Sequence, residues 1–220
     1  MMWQFIWKGG ALMAPLLLCS VIGTALILDR FYHYVRAGWK ARSFREEFER
    51  LIRDGRFHDA AALARRRPGP VAAVALTALE RIGEGRRRCE EAVLRVGSVE
   101  LGRLERYLPG LALLARITPL LGLLGTVTGM IRVFMSIEAA GGVTNVTLLA
   151  GGLWEAMLTT AAGLIVAVPA LAASHLFESA ADRVEAGMKE AVSLVLEAKA
   201  ESSAAGPVEI PATVEDLYGV

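Results

Sequence analysis

Three long apolar stretches decide the fold of this chain. They are ALMAPLLLCSVIGTALIL at 11–28, ITPLLGLLGTVTGMIRVFMSI at 117–137 and LLAGGLWEAMLTTAAGLIVAVPALAASHLF at 148–177. The first contains no Asp, Glu, Lys or Arg, the second contains only Arg132, and the third only Glu155. Since a helix of about 18 residues rises about 27 Å, each stretch is long enough to cross a bilayer. The sequence therefore predicts an all-α integral membrane protein with three transmembrane helices.

The composition agrees with this division. Of the 220 residues, 54% are hydrophobic and 21% are charged, so the two kinds must occupy different segments. These values exclude an ordinary soluble domain and the disordered, collagen-like and disulfide-rich classes. Cys19 and Cys89 lie in segments of opposite character and indicate neither a disulfide framework nor a metal cluster. Since no phosphate loop, zinc-ligand spacing or dinucleotide fingerprint occurs, we expect no metal and no cofactor.

A cleaved signal peptide is the alternative interpretation of the first stretch. The stretch is longer than the usual hydrophobic region of a signal peptide, which has about 7 to 15 residues. It also ends in Leu-Ile-Leu-Asp-Arg rather than in a small-residue cleavage site. Both features favour a retained transmembrane helix.

The charges between the apolar stretches predict the orientation. Residues 29–108 hold eighteen Lys or Arg and twelve Asp or Glu, whereas residues 138–147 hold no basic residue. Because basic segments stay on the cytoplasmic side, the long segment is predicted to be cytoplasmic and the short loop to lie outside. It follows that the N-terminus is outside and the C-terminus is cytoplasmic.

The cytoplasmic segment is predicted to be helical, because Phe44, Phe48 and Ile52 recur at helical spacing without strand-like alternation. From Arg87 the pattern continues into the second apolar stretch, which predicts a long second helix extending from the cytoplasm through the membrane. Points where this helix could bend or break are Gly97, Gly102, Pro109–Gly110 and Pro119. The predicted order of segments is an outer N-terminus (1–10), transmembrane helix 1 (11–28), a cytoplasmic helical domain (29–110), transmembrane helix 2 (111–137), an outer loop (138–147), transmembrane helix 3 (148–177), and a cytoplasmic C-terminal helix and tail (178–220).

Small residues in the second and third stretches predict close helix packing. Gly125 and Gly129 form a small-xxx-small step, and Gly122 lies three residues before Gly125. Gly163 belongs to a second stripe of small residues in the third stretch. Such steps let helix backbones approach closely, so these four glycines are the candidate helix-packing positions.

Thr126 and Thr160 are candidate ion-pathway residues. If the second stretch runs outward and the third returns, both lie about 17 Å below the outer end of the membrane. A threonine hydroxyl donates and accepts hydrogen bonds without ionising, which suits a hydrated ion path past a titrating group. On spacing alone, a hydrogen bond to the preceding turn and simple packing is the favoured alternative for both residues.

Glu155 is the third candidate for the ion pathway. A charge within a span costs about 2.5–3.5 kcal/mol, so this carboxylate should face protein or water. An interfacial position near the outside is the alternative, and Glu155 lies about 7 Å nearer the outside than the threonines. A titrating group at the depth of the threonines is therefore missing, and a partner would have to supply it.

Two further patterns are weaker. Ser174 and His175 are adjacent, but no paired acid or oxyanion motif accompanies them, so the chain is not predicted to be an enzyme. The arginine triplets at 65–67 and 86–88 are typical of nucleic-acid binding. Beside a cytoplasmic membrane face, however, they are better explained by anionic lipid or acidic partners, and no nucleic acid is predicted.

At these residues the sequence resembles the ExbB/TolQ/MotA proton-channel family, and most closely its ExbB and TolQ branch. The resemblance is specific in PLLGLLGTVTGMI at 119–131 and in GLWEAMLTTAAGLIVAVPA at 152–170. Weaker likeness covers GGALMAP at 9–15, Asp29-Arg30 and HDAAALA at 58–64. Arg116 and Arg132 depart from the family pattern, which has uncharged or variable residues at these positions.

The resemblance implies an inner-membrane homo-oligomer, a pentamer, around a pore lined by the second and third spans. Outside would then be the periplasm. The pore would hold a dimer of an ExbD- or TolR-like single-span protein carrying the protonatable aspartate, and a TonB- or TolA-like protein would receive the work. Thr126 and Thr160 match the family's pore threonines, and Glu155 matches its third-span glutamate.

The leading hypothesis is an energy-transducing stator that couples the proton-motive force to transport or envelope work. A non-conducting membrane scaffold is a second hypothesis, in which the small-residue stripes only build oligomers. A sodium-driven stator is a third, because threonine hydroxyls also coordinate sodium.

Overall fold

The computed structural model describes residues 11–141 and 146–204. Its elements are α1 (Met13–Arg53), α2 (Phe57–Arg66), α3 (Pro70–Arg81), a 3₁₀ turn (Ile82–Glu84), α4 (Arg86–Glu105), α5 (Leu108–Ala139) and α6 (Val146–Ala204). Within these two ranges no β-strand occurs. The prediction of an all-α fold is confirmed.

Three helices are long and apolar enough to cross a membrane. The qualifying segments are Met13–Tyr32, Arg86–Ala139 and Leu149–Glu201. In the most apolar window of each, only 17%, 22% and 28% of the residues are buried. Such extensive apolar exposure is unfavourable in water and normal in lipid. The predicted three transmembrane helices are therefore confirmed by length and composition.

Helices α1 and α6 are longer than the sequence predicts. α1 continues from the first apolar stretch to Arg53, since no proline interrupts residues 29–53. It ends before Gly55, whose φ of 71° suits glycine far better than other residues. α6 continues without a break from Val146 to Ala204. The predictions for residues 1–10, for 142–145 of the loop and for the tail from 205 to 220 lie outside the described residues.

The predicted long second helix extends from Arg86 to Ala139 with one short break. Arg106 and Tyr107 form a turn between α4 and α5. Pro109 lacks the N–H that would bond the Glu105 carbonyl in a continuous helix, which accounts for a break at this predicted point. The other predicted points, Gly97, Gly102 and Pro119, lie inside helices.

The chain divides into two compact units. The first unit falls within residues 1–36 and 103–182, and the second within 37–102 and 183–220. The second unit has a hydrophobic core to which α1 contributes the predicted stripe of Phe44, Phe48 and Ile52, each at most 3% exposed. Other core residues are Ala60, Ala64, Val71, Ala72, Val74, Ala75, Ala78, Cys89, Val93, Met188, Ala191 and Val195.

A buried arginine of the first unit stabilises the break between α4 and α5. Arg30 is 6% exposed, and its guanidinium donates to the Arg103 and Leu104 carbonyls at 3.4 and 3.1 Å. These carbonyls lie in the last turn of α4. A cation is favourable there, because the C-terminal end of the helix dipole carries a negative partial charge. The same guanidinium lies over the ring of Tyr107 at 4.6 Å and beside the carboxylate of Asp29 at 3.3 Å.

Tyr34 supports the same end of α4. Its hydroxyl donates to the Leu104 carbonyl at 3.2 Å, and its ring stacks on Phe177 at 5.3 Å. Burial raises the pKa of the Tyr34 hydroxyl above its ordinary value, only partly offset by Arg30. The hydroxyl therefore stays protonated and available as a donor.

We expect Arg30→Ala to lower the free energy of unfolding by about 1–3 kcal/mol, because two helix-terminal carbonyls lose a charged donor. Arg30→Lys should recover part of the loss, since an ammonium keeps the charge without the planar fork. The measurement is unfolding of the full chain in detergent micelles. The matched control is Arg50→Ala, an exposed arginine of the same helix. Equal midpoints for Arg30→Ala and Arg50→Ala would contradict the stabilising role.

Candidate functional site

The site is built on the boundary where α5 and α6 pack against each other. Residues of increasing number in α5 contact residues of decreasing number in α6, so the two helices are antiparallel. In order along α5, the contacts made at glycine positions join Thr118 to Gly163, Gly122 to Thr160, Gly125 to Thr159, Gly129 to Ala156 and Val133 to Gly152.

The glycines at this boundary leave no room for a side chain. A Cβ atom added at Gly125 would lie 2.4 Å from the Thr159 side chain, and one at Gly129 would lie 2.9 Å from Ala156. At Gly122 and Gly163 the neighbouring atoms are backbone, at 3.0 Å from the Thr160 Cα and 2.8 Å from the Thr118 carbonyl oxygen. Each of the four glycines proposed for helix packing thus lies in close contact with the opposite helix.

The two candidate threonines make different hydrogen bonds. The Thr160 hydroxyl donates across the boundary to the Gly122 carbonyl at 2.8 Å. The Thr126 hydroxyl donates to the Leu123 carbonyl of its own helix at 2.7 Å. The alternative of a bond to the preceding turn therefore describes Thr126 and not Thr160. Both side chains are partly exposed.

The two threonines nevertheless lie within about one helical turn of each other, towards one side of the boundary. Gly125 and Thr159 contact each other, and Thr126 and Thr160 are the next residues along their helices. One step along a helix turns the side-chain direction by about 100°, and in an antiparallel pair equal steps turn both side chains to the same side. We call this side the threonine flank.

Glu155 lies on the opposite side, which we call the charged flank. Arg132 and Glu155 each precede a boundary residue, Val133 and Ala156, so they turn the other way. An Arg132 guanidinium nitrogen lies 3.0 Å from a Glu155 carboxylate oxygen. The place of Glu155 in an ion pathway stays a prediction, and the helix boundary separates it from the threonines.

Helix α1 lies against α6 on the charged flank. Four residues of α1 and four of α6 line a cavity of about 100 Å³: Ser20, Gly23, Thr24, Ile27, Ile165, Val166, Pro169 and Ala170. Val166 follows Glu155 by eleven residues, about three turns, and so lies on the same face of α6. The threonine flank points away from this contact.

Sequence reasoning missed two buried threonines and one ion pair. Thr118 and Thr159 are 0% and 1% exposed, and their hydroxyls donate to the backbone carbonyls of Leu114 and Glu155 in their own helices. Thr118 lies four residues before Gly122, and this helical spacing could have revealed its position. The depth comparison applied to the threonines also sets Arg132 near Glu155, and this signal could have revealed the ion pair.

The structure does not pair the weaker candidates, Ser174 and His175, with each other. The Ser174 hydroxyl donates to the Leu171 carbonyl, whereas His175 lies 3.3 Å from the Glu178 carboxylate. The hydroxyl and the ring thus have different partners. Among the described residues, no group of three or more His, Cys, Asp or Glu could hold a metal ion.

We expect Gly163→Ala to destabilise the chain by about 1–3 kcal/mol, because the added methyl group meets backbone that cannot move aside cheaply. Gly151→Ala is the matched control on the same helix, since nothing lies within 4 Å of an added Cβ there. Unfolding of the full chain in detergent measures both variants. If Gly163→Ala unfolds like Gly151→Ala, the tight boundary does not hold the helices together.

Comparison with known proteins agrees with this architecture. The model of the MotA/TolQ/ExbB proton channel family matches residues 67–190, more than half of the chain. The putative biopolymer transport protein ExbB-like 3 of Synechocystis is 31% identical over 172 residues, which cover 78% of this chain and 82% of that protein. The Tol-Pal system protein TolQ of Haemophilus influenzae is 28% identical over 180 residues, with 76% and 77% covered.

A third relative has a higher sequence identity over a shorter alignment. The biopolymer transport protein exbB1 of Vibrio cholerae is 47% identical over 85 residues. This alignment covers 39% of the present chain and only 37% of the Vibrio protein. Together with the three membrane-length helices and the glycine-packed boundary, these matches lead to one conclusion: the chain belongs to the MotA/TolQ/ExbB proton channel family.

Proposed function

We propose that this chain is the channel subunit of an inner-membrane complex that converts the proton-motive force into work. Protons would pass along the threonine flank of the α5–α6 boundary. One observation carries the proposal: two hydroxyls, those of Thr126 and Thr160, lie within about one helical turn of each other on the same flank of a tightly packed helix pair. Membership of a proton channel family supports it.

The surroundings of the threonines support a path on this flank. Around Thr160, the same side of α6 exposes the apolar residues Met157, Leu164 and Leu171, which are 45–61% exposed. A hydroxyl within an apolar surface offers an ion the hydrogen bonds that the surrounding side chains lack. Because α1 packs on the charged flank, the threonine flank is open to other subunits.

Two features lead to the partners in this proposal: the open threonine flank, and the lack of a titrating group at the depth of the threonines. Copies of the chain would close the apolar surface into a ring, a pentamer in the resemblance stated above. An ExbD- or TolR-like single-span dimer inside the ring would bring the protonatable carboxyl group to the threonines. One charge crossing about 100 mV releases about 2.3 kcal/mol, which the complex would pass to a TonB- or TolA-like protein.

We expect Thr126→Val and Thr160→Val to lower proton flux at least about tenfold, because each loses a hydroxyl worth about 1–3 kcal/mol. Thr126→Ser and Thr160→Ser should retain flux. The complex is purified from its native host through a tag on this chain and reconstituted in liposomes containing a pH-sensitive dye. The matched control is Thr128→Val, two residues from Thr126 and about 200° around the helix.

Three outcomes would contradict this proposal. Valine variants that assemble and conduct like the parent chain would contradict the path along the threonine flank. A parent complex whose proton flux does not exceed that of empty liposomes would favour the non-conducting scaffold. Flux that disappears in sodium-free buffer and returns with sodium would favour the sodium-driven stator. Proton flux that persists without sodium and falls in the valine variants supports the proposed path.

The proposed orientation has the N-terminus in the periplasm and the C-terminus in the cytoplasm. We expect a cysteine at Ala140, in a Cys19→Ala/Cys89→Ala background, to react with a membrane-impermeant maleimide applied from the periplasm. A cysteine at Ser98 should react only after the cells are opened. Both residues are exposed, so burial does not decide the result. The reverse labelling pattern would contradict the orientation.

A further inference from the structure

An ion pair joins α5 and α6 inside the two apolar stretches. The Arg132 guanidinium donates to the Glu155 carboxylate at 3.0 Å, and the side chains are 55% and 31% exposed. The sequences around both residues are apolar, so each of these charges would otherwise lie among apolar groups. The pair therefore matters more than its partial exposure suggests.

Close contacts on both sides of the pair hold the two helices in place. Gly129 contacts Ala156 towards the inner end, and Val133 contacts Gly152 towards the outer end. An added Cβ would lie 2.9 Å from Ala156 at the first contact and 2.1 Å from Val133 at the second. Since neither contact leaves free space, the backbone positions of Arg132 and Glu155 are fixed relative to each other.

The pair compensates two charges that are costly apart. A single charge within a membrane span is unfavourable on insertion scales. Removing one partner of an ion pair in an apolar environment leaves the other without compensation, which costs more than removing both. Arg132 and Glu155 should therefore depend on each other.

We propose that Arg132 is a positioning residue that holds Glu155 in an interhelical ion pair, which stabilises the outer end of the α5–α6 hairpin. Glu155 then carries no proton along the path. Two observations support this: the carboxylate has a cation at hydrogen-bond distance, and the helix boundary separates it from the threonine flank. Only the exclusion of Glu155 from the path rests on the proposed function.

A double-mutant cycle tests the pair. The variants are Arg132→Gln, Glu155→Gln and the double variant, and the readout is the unfolding midpoint of the full chain in detergent. We expect the double variant to lose less than the two single losses added together. The exchanged pair Arg132→Glu/Glu155→Arg should recover most of the parent midpoint. The control cycle is Arg86–Glu90, an exposed pair within one helix, whose coupling should be small.

Ion flux tests the exclusion of Glu155 from the path. We expect the reconstituted Arg132→Gln/Glu155→Gln complex to conduct within about twofold of the parent, with an unchanged pH profile. A group that carries a proton contributes about 100-fold or more, so a loss of that size in the double variant would overturn the exclusion. Strictly additive midpoints in the cycle would overturn the ion pair itself.

The two proposals fail in different ways. If the threonine variants conduct normally while the cycle shows coupling, the proposed ion path fails and the ion pair stands. If the cycle shows no coupling while the threonine variants lose flux, the path stands and the positioning role of Arg132 is overturned.

Discussion

The contact between α5 and α6 is the constraint on which the rest of the first unit depends. Lipid provides no hydrophobic force between helices, so two membrane helices associate through close packing and interhelical hydrogen bonds. Here both are present: glycines bring the backbones together, and the Thr160 hydroxyl bonds the Gly122 carbonyl across the boundary. A side chain at Gly122 or Gly163 would separate the helices and break this hydrogen bond.

In this multi-pass inner-membrane protein, the same contact determines on which flank of the helix pair each polar side chain lies. Once the boundary residues are set, the residue after each contact turns to one side and the residue before it to the other. Thr126 and Thr160 fall on an open flank, whereas Arg132 and Glu155 fall on the flank where α1 packs. Neutral hydroxyls and compensated charges are thus separated by the width of a helix pair, through packing alone.

Sequence patterns predict most of this architecture because apolar runs and helical spacing report burial directly. The three spans and the buried stripe of Phe44, Phe48 and Ile52 could be read in this way. The continuity of α1 could not be predicted, because the stripe predicts a helix at 44–52 but does not show that residues 29–43 join this helix to the first span. The flank of Glu155 also escaped, since it depends on which residues of two helices meet. The alignment of α5 with α6 at this point is set by the contacts of Gly129 and Gly152. The sequence alone does not identify the residue that lies opposite each glycine.

The separation of the hydroxyls from the charged pair offers a reason why, in the proposed function, a partner supplies the protonatable carboxyl group. An uncompensated carboxylate at the depth of Thr126 would cost about 2.5–3.5 kcal/mol in every copy before assembly. Hydroxyls avoid this cost, because they bond carbonyls of their own helix pair until a partner arrives. In the proposed function, a proton path would therefore be complete only in the assembled complex. The single acid of the third stretch, Glu155, is tolerated for the complementary reason, since Arg132 neutralises it within the same chain.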